Sequence, residues 1–196
     1  MDSTTEPQTV AADDPAVRAR RPAGRDRGSN RPRLVWDRNR VDREAAGSPE
    51  PAADLPTIAA LSTPERILVW ALRRWLRDIG HRQQVWREFR GLFDHAGAVA
   101  AMSGLERLVA SLRAGARRTY RLHGPCCPTV EAWEVGVLAI VGSCQRLDDN
   151  LAARNALWLV RHPFDEEVVA GSALLARPFL EAEMIVPDRR LCASTP

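Results

Sequence analysis

Residue types able to do chemistry concentrate in RLHGPCCPTVEAWEVGVLAIVGSC, residues 121–144. His123 stands three residues before the adjacent pair Cys126 and Cys127, and Cys144 follows a long apolar run. Imidazole and thiolate suit Zn²⁺ or Cu(I), and four such ligands close a tetrahedral structural site. The spacing argues against a closed zinc site. Zinc motifs put about two to four residues between paired cysteines, whereas neighbouring residues tend to point their side chains apart. If a helix begins near Thr129, Cys144 lies roughly 22 Å along it at 1.5 Å per residue, out of reach of the pair. The metal set offered by the sequence is therefore His123, Cys126 and Cys127, for zinc or another thiophilic metal. The same residues would serve a thiol-responsive protein.

A plainer reading explains the prolines, and it is preferred. Pro128 keeps Cys127 out of the helical region and Pro125 does the same to Gly124. The segment is then an extended lead-in that Thr129 caps, with the cysteines as small buried hydrophobes under the helix entrance. A nucleophilic Cys–His pair needs a third group to orient the imidazole, and none is identifiable. His81, His95 and His162 are scattered at expected helix ends. Asp148, Asp149 and the run Asp165, Glu166, Glu167 suit helix N-termini, where the macrodipole favours negative charge. No Gly-rich phosphate loop or G-x-S-x-G elbow occurs, so the chain reads as non-enzymatic and without a cofactor.

The elements that must position these residues are helices. In LSTPERILVWALRRWLRDIG, Ser62 and Glu65 make a capping-box pair, Pro64 sits in the first turn and Gly80 supplies a stop. Leu68, Leu72, Trp75, Leu76 and Ile79 fall on one face, with Arg66, Arg73, Arg74 and Arg77 largely elsewhere. Val85, Trp86, Phe89, Leu92 and Phe93 mark a second helix. Ser103 and Glu106 cap a third, whose stripe is Leu105, Leu108, Val109 and Leu112. Val135 to Val141 is apolar enough for a strand or a helix; length and the acidic first turn favour a helix buried nearly all round. Asp149 caps a fifth, ended by Pro163; a sixth runs from Asp165 to Arg177, after which Pro178 opens a short final turn.

Composition sets the frame. The chain has 196 residues, 45% hydrophobic and 27% charged, the proportions of one globular domain with a tail. All 28 basic residues are arginine, which points to coding bias more than to a phosphate-binding surface. A formal net charge of +3 does not argue for nucleic-acid binding by the whole molecule. No apolar run approaches the roughly 20 residues of a membrane span, and the N-terminus lacks a secretory pattern. The chain therefore reads as bacterial-type and cytoplasmic, with Cys126, Cys127, Cys144 and Cys192 as thiols.

Residues 1–58 are rich in Pro, Asp and Arg without apolar periodicity, the composition of a disordered arm. Between Arg18 and Arg43, ten arginines face three aspartates. The island Arg31, Arg33, Leu34, Val35, Trp36, Arg38 and Arg40 offers a partner-binding element, and residues 18–43 offer phosphates a salt-sensitive contact. The expectation is an all-α, compact bundle of five to seven helices over residues 59–190, with a frayed tail at 191–196. Its expected role is a non-enzymatic regulatory or accessory subunit that works through protein–protein contacts, with the Arg-rich arm as one surface. A thiol- or metal-responsive protein is the alternative, and a nucleic-acid-associated regulator the third.

Overall fold

Among the described residues, six α-helices carry the fold: α1 Thr63–Arg77, α2 Ile79–Leu92, α3 His95–Gly115, α4 Ala132–Gln145, α5 Asp149–Leu159 and α6 Phe164–Glu181. The structure, a computed structural model, describes residues 55–77 and 79–189, all within one compact unit. Among them there is no strand, only two isolated antiparallel bridges, Thr57 with Thr129 and Ala116 with Val160. The all-α bundle is as expected, and residues 135–141 are helical. The expected arm up to residue 54 and the tail beyond Arg189 lie outside the described residues.

The helix starts follow local chemistry. Glu65 reaches back to accept from both the N–H and the hydroxyl of Ser62, at 2.7 and 2.8 Å. Asp94 takes the N–H of Gly97 at 2.6 Å and starts α3, so Ser103 lies mid-helix and exposed instead of at a cap. Asp148 caps α5 through the N–H of Leu151, one residue ahead of the expected Asp149. Glu131, not Thr129, is the N-cap of α4, in a reciprocal box with Glu134. Thr129 is held in the bridge to Thr57, while Ile58 gives its N–H to Pro128 at 2.8 Å. The packed chain consequently begins a few residues before 59.

The helix stops are less conventional. Gly80 does not end a helix; it stands within α2, as the second residue of Ile79–Leu92. Pro163 precedes α6 as its N-cap, and α5 has already ended at Leu159. Pro178 lies inside α6, near its end, where one missing backbone bond is tolerated and the ring is buried beside Gly97. Helices α4 and α6 both close in the Schellman pattern. Asp148 donates to Ser143 and Leu147 to Cys144, and Met184 donates to Phe179 and Glu183 to Leu180. Leu147 and Glu183 hold the left-handed position, each with φ of 57°, where glycine is usual.

Helices α3 and α6 make the most extensive pair and run antiparallel. Gly97 meets Pro178 at one end, Gly104 meets Gly171 and Leu175 in the middle, and Gly115 meets Phe164 at the other. A Cβ on Gly104 would stand 2.6 Å from the Gly171 carbonyl, so the two backbones touch there. Helix α4 is buried from Trp133 to Ser143 and packs on α1, α5 and α6. Phe89, Phe93 and Phe179 close the core where α2 meets α6, with ring centroids 5.0 to 6.2 Å apart.

Candidate functional site

The cysteine segment is organised by Arg73, which periodicity placed among the outward arginines of α1. It is buried, in line with Val69 and Leu76 at i−4 and i+3, and that spacing was the available signal. Its Nε and Nη2 grip the carboxylate of Glu134 at 2.7 and 2.8 Å. Its Nη1 donates to the carbonyls of Gly124 and Cys127, at 3.2 and 2.8 Å, and Nη2 also donates to Thr129 at 2.6 Å. All five guanidinium N–H groups are thus matched by the ion pair and by one loop. Glu134 in turn accepts the N–H of Glu131 at 2.9 Å, which ties the loop to the start of α4.

Within that loop, Cys127 donates its N–H to the Gly124 carbonyl at 3.1 Å, closing a turn with Pro125 and Cys126 at its centre. Cys126 is exposed and Cys127 half-buried. This corrects the expectation that both are buried under the helix entrance: the clamp on Gly124 and Cys127 pushes the turn outward. His123 is engaged by Glu131, Nε2 to Oε1 at 2.7 Å. Among the described residues, no group of three or more His, Cys, Asp or Glu is placed to hold a metal ion. The expected set of His123, Cys126 and Cys127 therefore does not form as a three-ligand site in this structure.

Cys144 is separate, its Sγ 3.9 Å from the Val169 carbonyl on α6. Burial, reinforced by the charge of Asp149, pushes its thiol up to about 11, so it stays protonated at neutral pH. Cys192 and the island Arg31, Arg33, Leu34, Val35, Trp36, Arg38 and Arg40 lie outside the described residues. His81, His95 and His162 are apart from the loop: His95 packs edge-on against Trp86, and His162 meets Asp165 at 3.2 Å.

The loop is anchored on its other side by aromatic packing. Tyr120 stacks on Trp133 with centroids 5.4 Å apart and gives its hydroxyl to the Leu159 carbonyl. Trp133 donates Nε1 to the Arg121 carbonyl at 2.8 Å. Burial drives the Tyr120 hydroxyl up to about 12.

A second feature is the outer face of α1, where Arg66, Ile67, Trp70, Arg74 and Arg77 share one side. Arg66 and Arg77 are exposed, and the only acidic residue of the helix, Glu65, is buried on the opposite side. Arg74 lies 4.8 Å over the Trp70 ring and bonds Gln84 of α2, yet its Nε is buried with no hydrogen-bond partner. On α2 and beyond, Arg82 covers Trp75, Arg90 covers Trp86 and Arg118 covers Trp158, at 4.5 to 5.9 Å.

The tail from Met184 to Arg189 straps these helices together. Gln145 donates to the Met184 carbonyl and accepts the Val186 N–H, at 3.0 and 2.8 Å. Arg189 ends the strap on the buried Glu65 at 2.6 Å. Burial alone would raise the Glu65 carboxyl, but the Arg189 guanidinium and the Ser62 donors hold it below its ordinary value. No helix among the described residues is long and apolar enough to cross a membrane. No protein family, curated protein or solved structure matches this chain.

Proposed function

We propose that this chain is a non-enzymatic binding protein, a bacterial-type cytoplasmic regulator or accessory subunit acting through protein–protein contacts. The observation that carries the reading is the outer face of α1, where the half-buried Trp70 and Ile67 stand among Arg66, Arg74 and Arg77, with no acidic residue on that face among the described residues of the helix. Tryptophan and arginine are the residue types that dominate interface hot spots, and an arginine resting on an indole is already ordered for contact. The partner suited to this face is a protein segment with acidic residues around an apolar anchor. The Arg-rich stretch 18–43 would extend the same charge preference. Support also comes from the titratable groups inside the fold: Glu65, Arg73, Glu134 and Arg189 hold elements together, a scaffolding use of charge.

The test is affinity capture from the host with wild type, Trp70→Ala and the double variant Arg74→Glu/Arg77→Glu, all compared after nuclease treatment. A defined set of proteins should be retained by wild type and lost by both variants while helical circular dichroism stays unchanged. Retention by the variants would overturn the α1 face as the contact. Loss of every captured protein on nuclease treatment would replace the reading with nucleic-acid association, which also predicts a steep salt dependence.

A further inference from the structure

We propose that Cys126 and Cys127 form a two-thiolate site for a soft, thiophilic centre, either monovalent copper or trivalent arsenic. The reading does not rest on the α1 face and stands or falls separately from it. Two observations carry it. The pair sits on a turn with Cys126 exposed and Cys127 half-buried, so an incoming ligand can reach it from solvent. The turn is also fixed before any ligand arrives. Arg73 holds the carbonyls on either side of it, Gly124 and Cys127, and a bond from Cys127 to Gly124 closes it. A rigid pair binds without first losing backbone freedom, which raises affinity for a bidentate ligand.

The chemistry selects the ligand. Adjacent residues have Cα atoms about 3.8 Å apart across a trans peptide, shorter than the roughly 4.4–6.8 Å of relaxed disulfides, so a direct S–S bond is strained. A bridging atom spans a longer sulfur separation and relieves that strain. Zinc wants four ligands, and among the described residues no group of three or more His, Cys, Asp or Glu is placed to hold a metal ion. Centres satisfied by two thiolates remain, and thiolate softness favours Cu(I) among metals. Binding is ligand exchange without change of oxidation state. Each Sγ–H bond breaks and its proton leaves, each sulfur forms one bond to the incoming centre, and the centre sheds two ligands. With phenylarsine oxide the arsenic-bound oxygen departs with both protons as water.

The experiment uses the full reduced chain, titrated separately with phenylarsine oxide in the presence of a competing monothiol and with Cu(I) against a chromophoric chelator. Native mass spectrometry reads the stoichiometry. One equivalent should be retained by wild type and by Cys144→Ser/Cys192→Ser. Cys126→Ser and Cys127→Ser should each weaken binding about 10²-fold or more, because the second sulfur bond is no longer intramolecular. Retention of the arsenical alone, or of Cu(I) alone, assigns the site to that source. Retention of neither ligand overturns the proposal, as does undiminished binding by Cys126→Ser or Cys127→Ser. Circular dichroism of the serine variants, expected to match wild type, separates loss of the ligand site from loss of the fold.

Discussion

Arg73 of α1 and Glu134 of α4 face each other as two parallel hydrogen bonds across 61 residues of sequence, with side chains only 1% and 0% exposed. The pair is the pivot of the cysteine loop, because the guanidinium edge left over by the carboxylate holds three loop carbonyls. Breaking a buried pair by removing one partner leaves an uncompensated charge and costs about 3–5 kcal/mol. Arg73→Met and Glu134→Leu should each lower urea-measured stability on that scale. The double variant should cost less than the two together, and strict additivity would show that the pair is not coupled.

The Gly104–Gly171 crossing predicts a cost for a single methyl group. Gly104→Ala puts a Cβ 2.6 Å from one backbone oxygen and 2.7 Å from the Leu175 nitrogen, neither of which can swing aside. Overpacking of roughly 1–3 kcal/mol should outweigh the helix-propensity gain of about 1 kcal/mol. Gly91→Ala in α2 meets nothing within 4 Å and should be neutral to stabilising. Chemical denaturation of both variants checks the contrast.

The left-handed ends of α4 and α6 predict the opposite change. Leu147 is 85% exposed at a φ of 57°, so its side chain contributes little packing while its Cβ opposes the backbone conformation. Leu147→Gly should raise the melting temperature, with a gain of up to about 1 kcal/mol once glycine's extra unfolded-state entropy is subtracted. Glu183→Gly at the same position of α6 should follow in sign.

Two titrations report on packing. Tyr120 is the only tyrosine in the chain, so the ultraviolet absorbance of tyrosinate reads one group. Its midpoint should lie near 12 in the folded protein and fall to about 10 on unfolding. Since the folded value is raised, this residue's contribution is complete below about pH 10 and is lost as pH rises through the folded value.

Glu65 runs the other way. Its folded value is lowered, so the contribution is complete above the unfolded value of about 4.3 and is lost as pH falls through the folded value. The stability difference between wild type and Glu65→Gln should be flat near neutrality and shrink in acid. A difference that grows in acid would contradict the Arg189 contact.

How much of this was legible follows from where each signal lives. Apolar spacing marked the inner faces of α1 to α6, because a helix must bury one stripe whatever its neighbours. Boundaries were less legible. Leu147 and Glu183 stand where a stop signal would be glycine, and Pro178 lies inside α6, a helix it would usually end. Thr129 looked like a cap until its backbone was needed by Thr57 and Arg73. Arg73 itself read as one more surface arginine, since nothing local reveals a carboxylate 61 residues away.

By itself the sequence determined the helical class and the short, proline-bracketed thiol pair, since periodicity, capping and proline geometry act over a few residues. Only the tertiary structure decided that the pair faces outward and that Cys144 stays apart from it. It also decided that one arginine is withdrawn from the α1 surface to hold the loop. Those outcomes depend on which distant groups satisfy buried hydrogen bonds and charges, and such partners are chosen by packing, not by spacing along the chain.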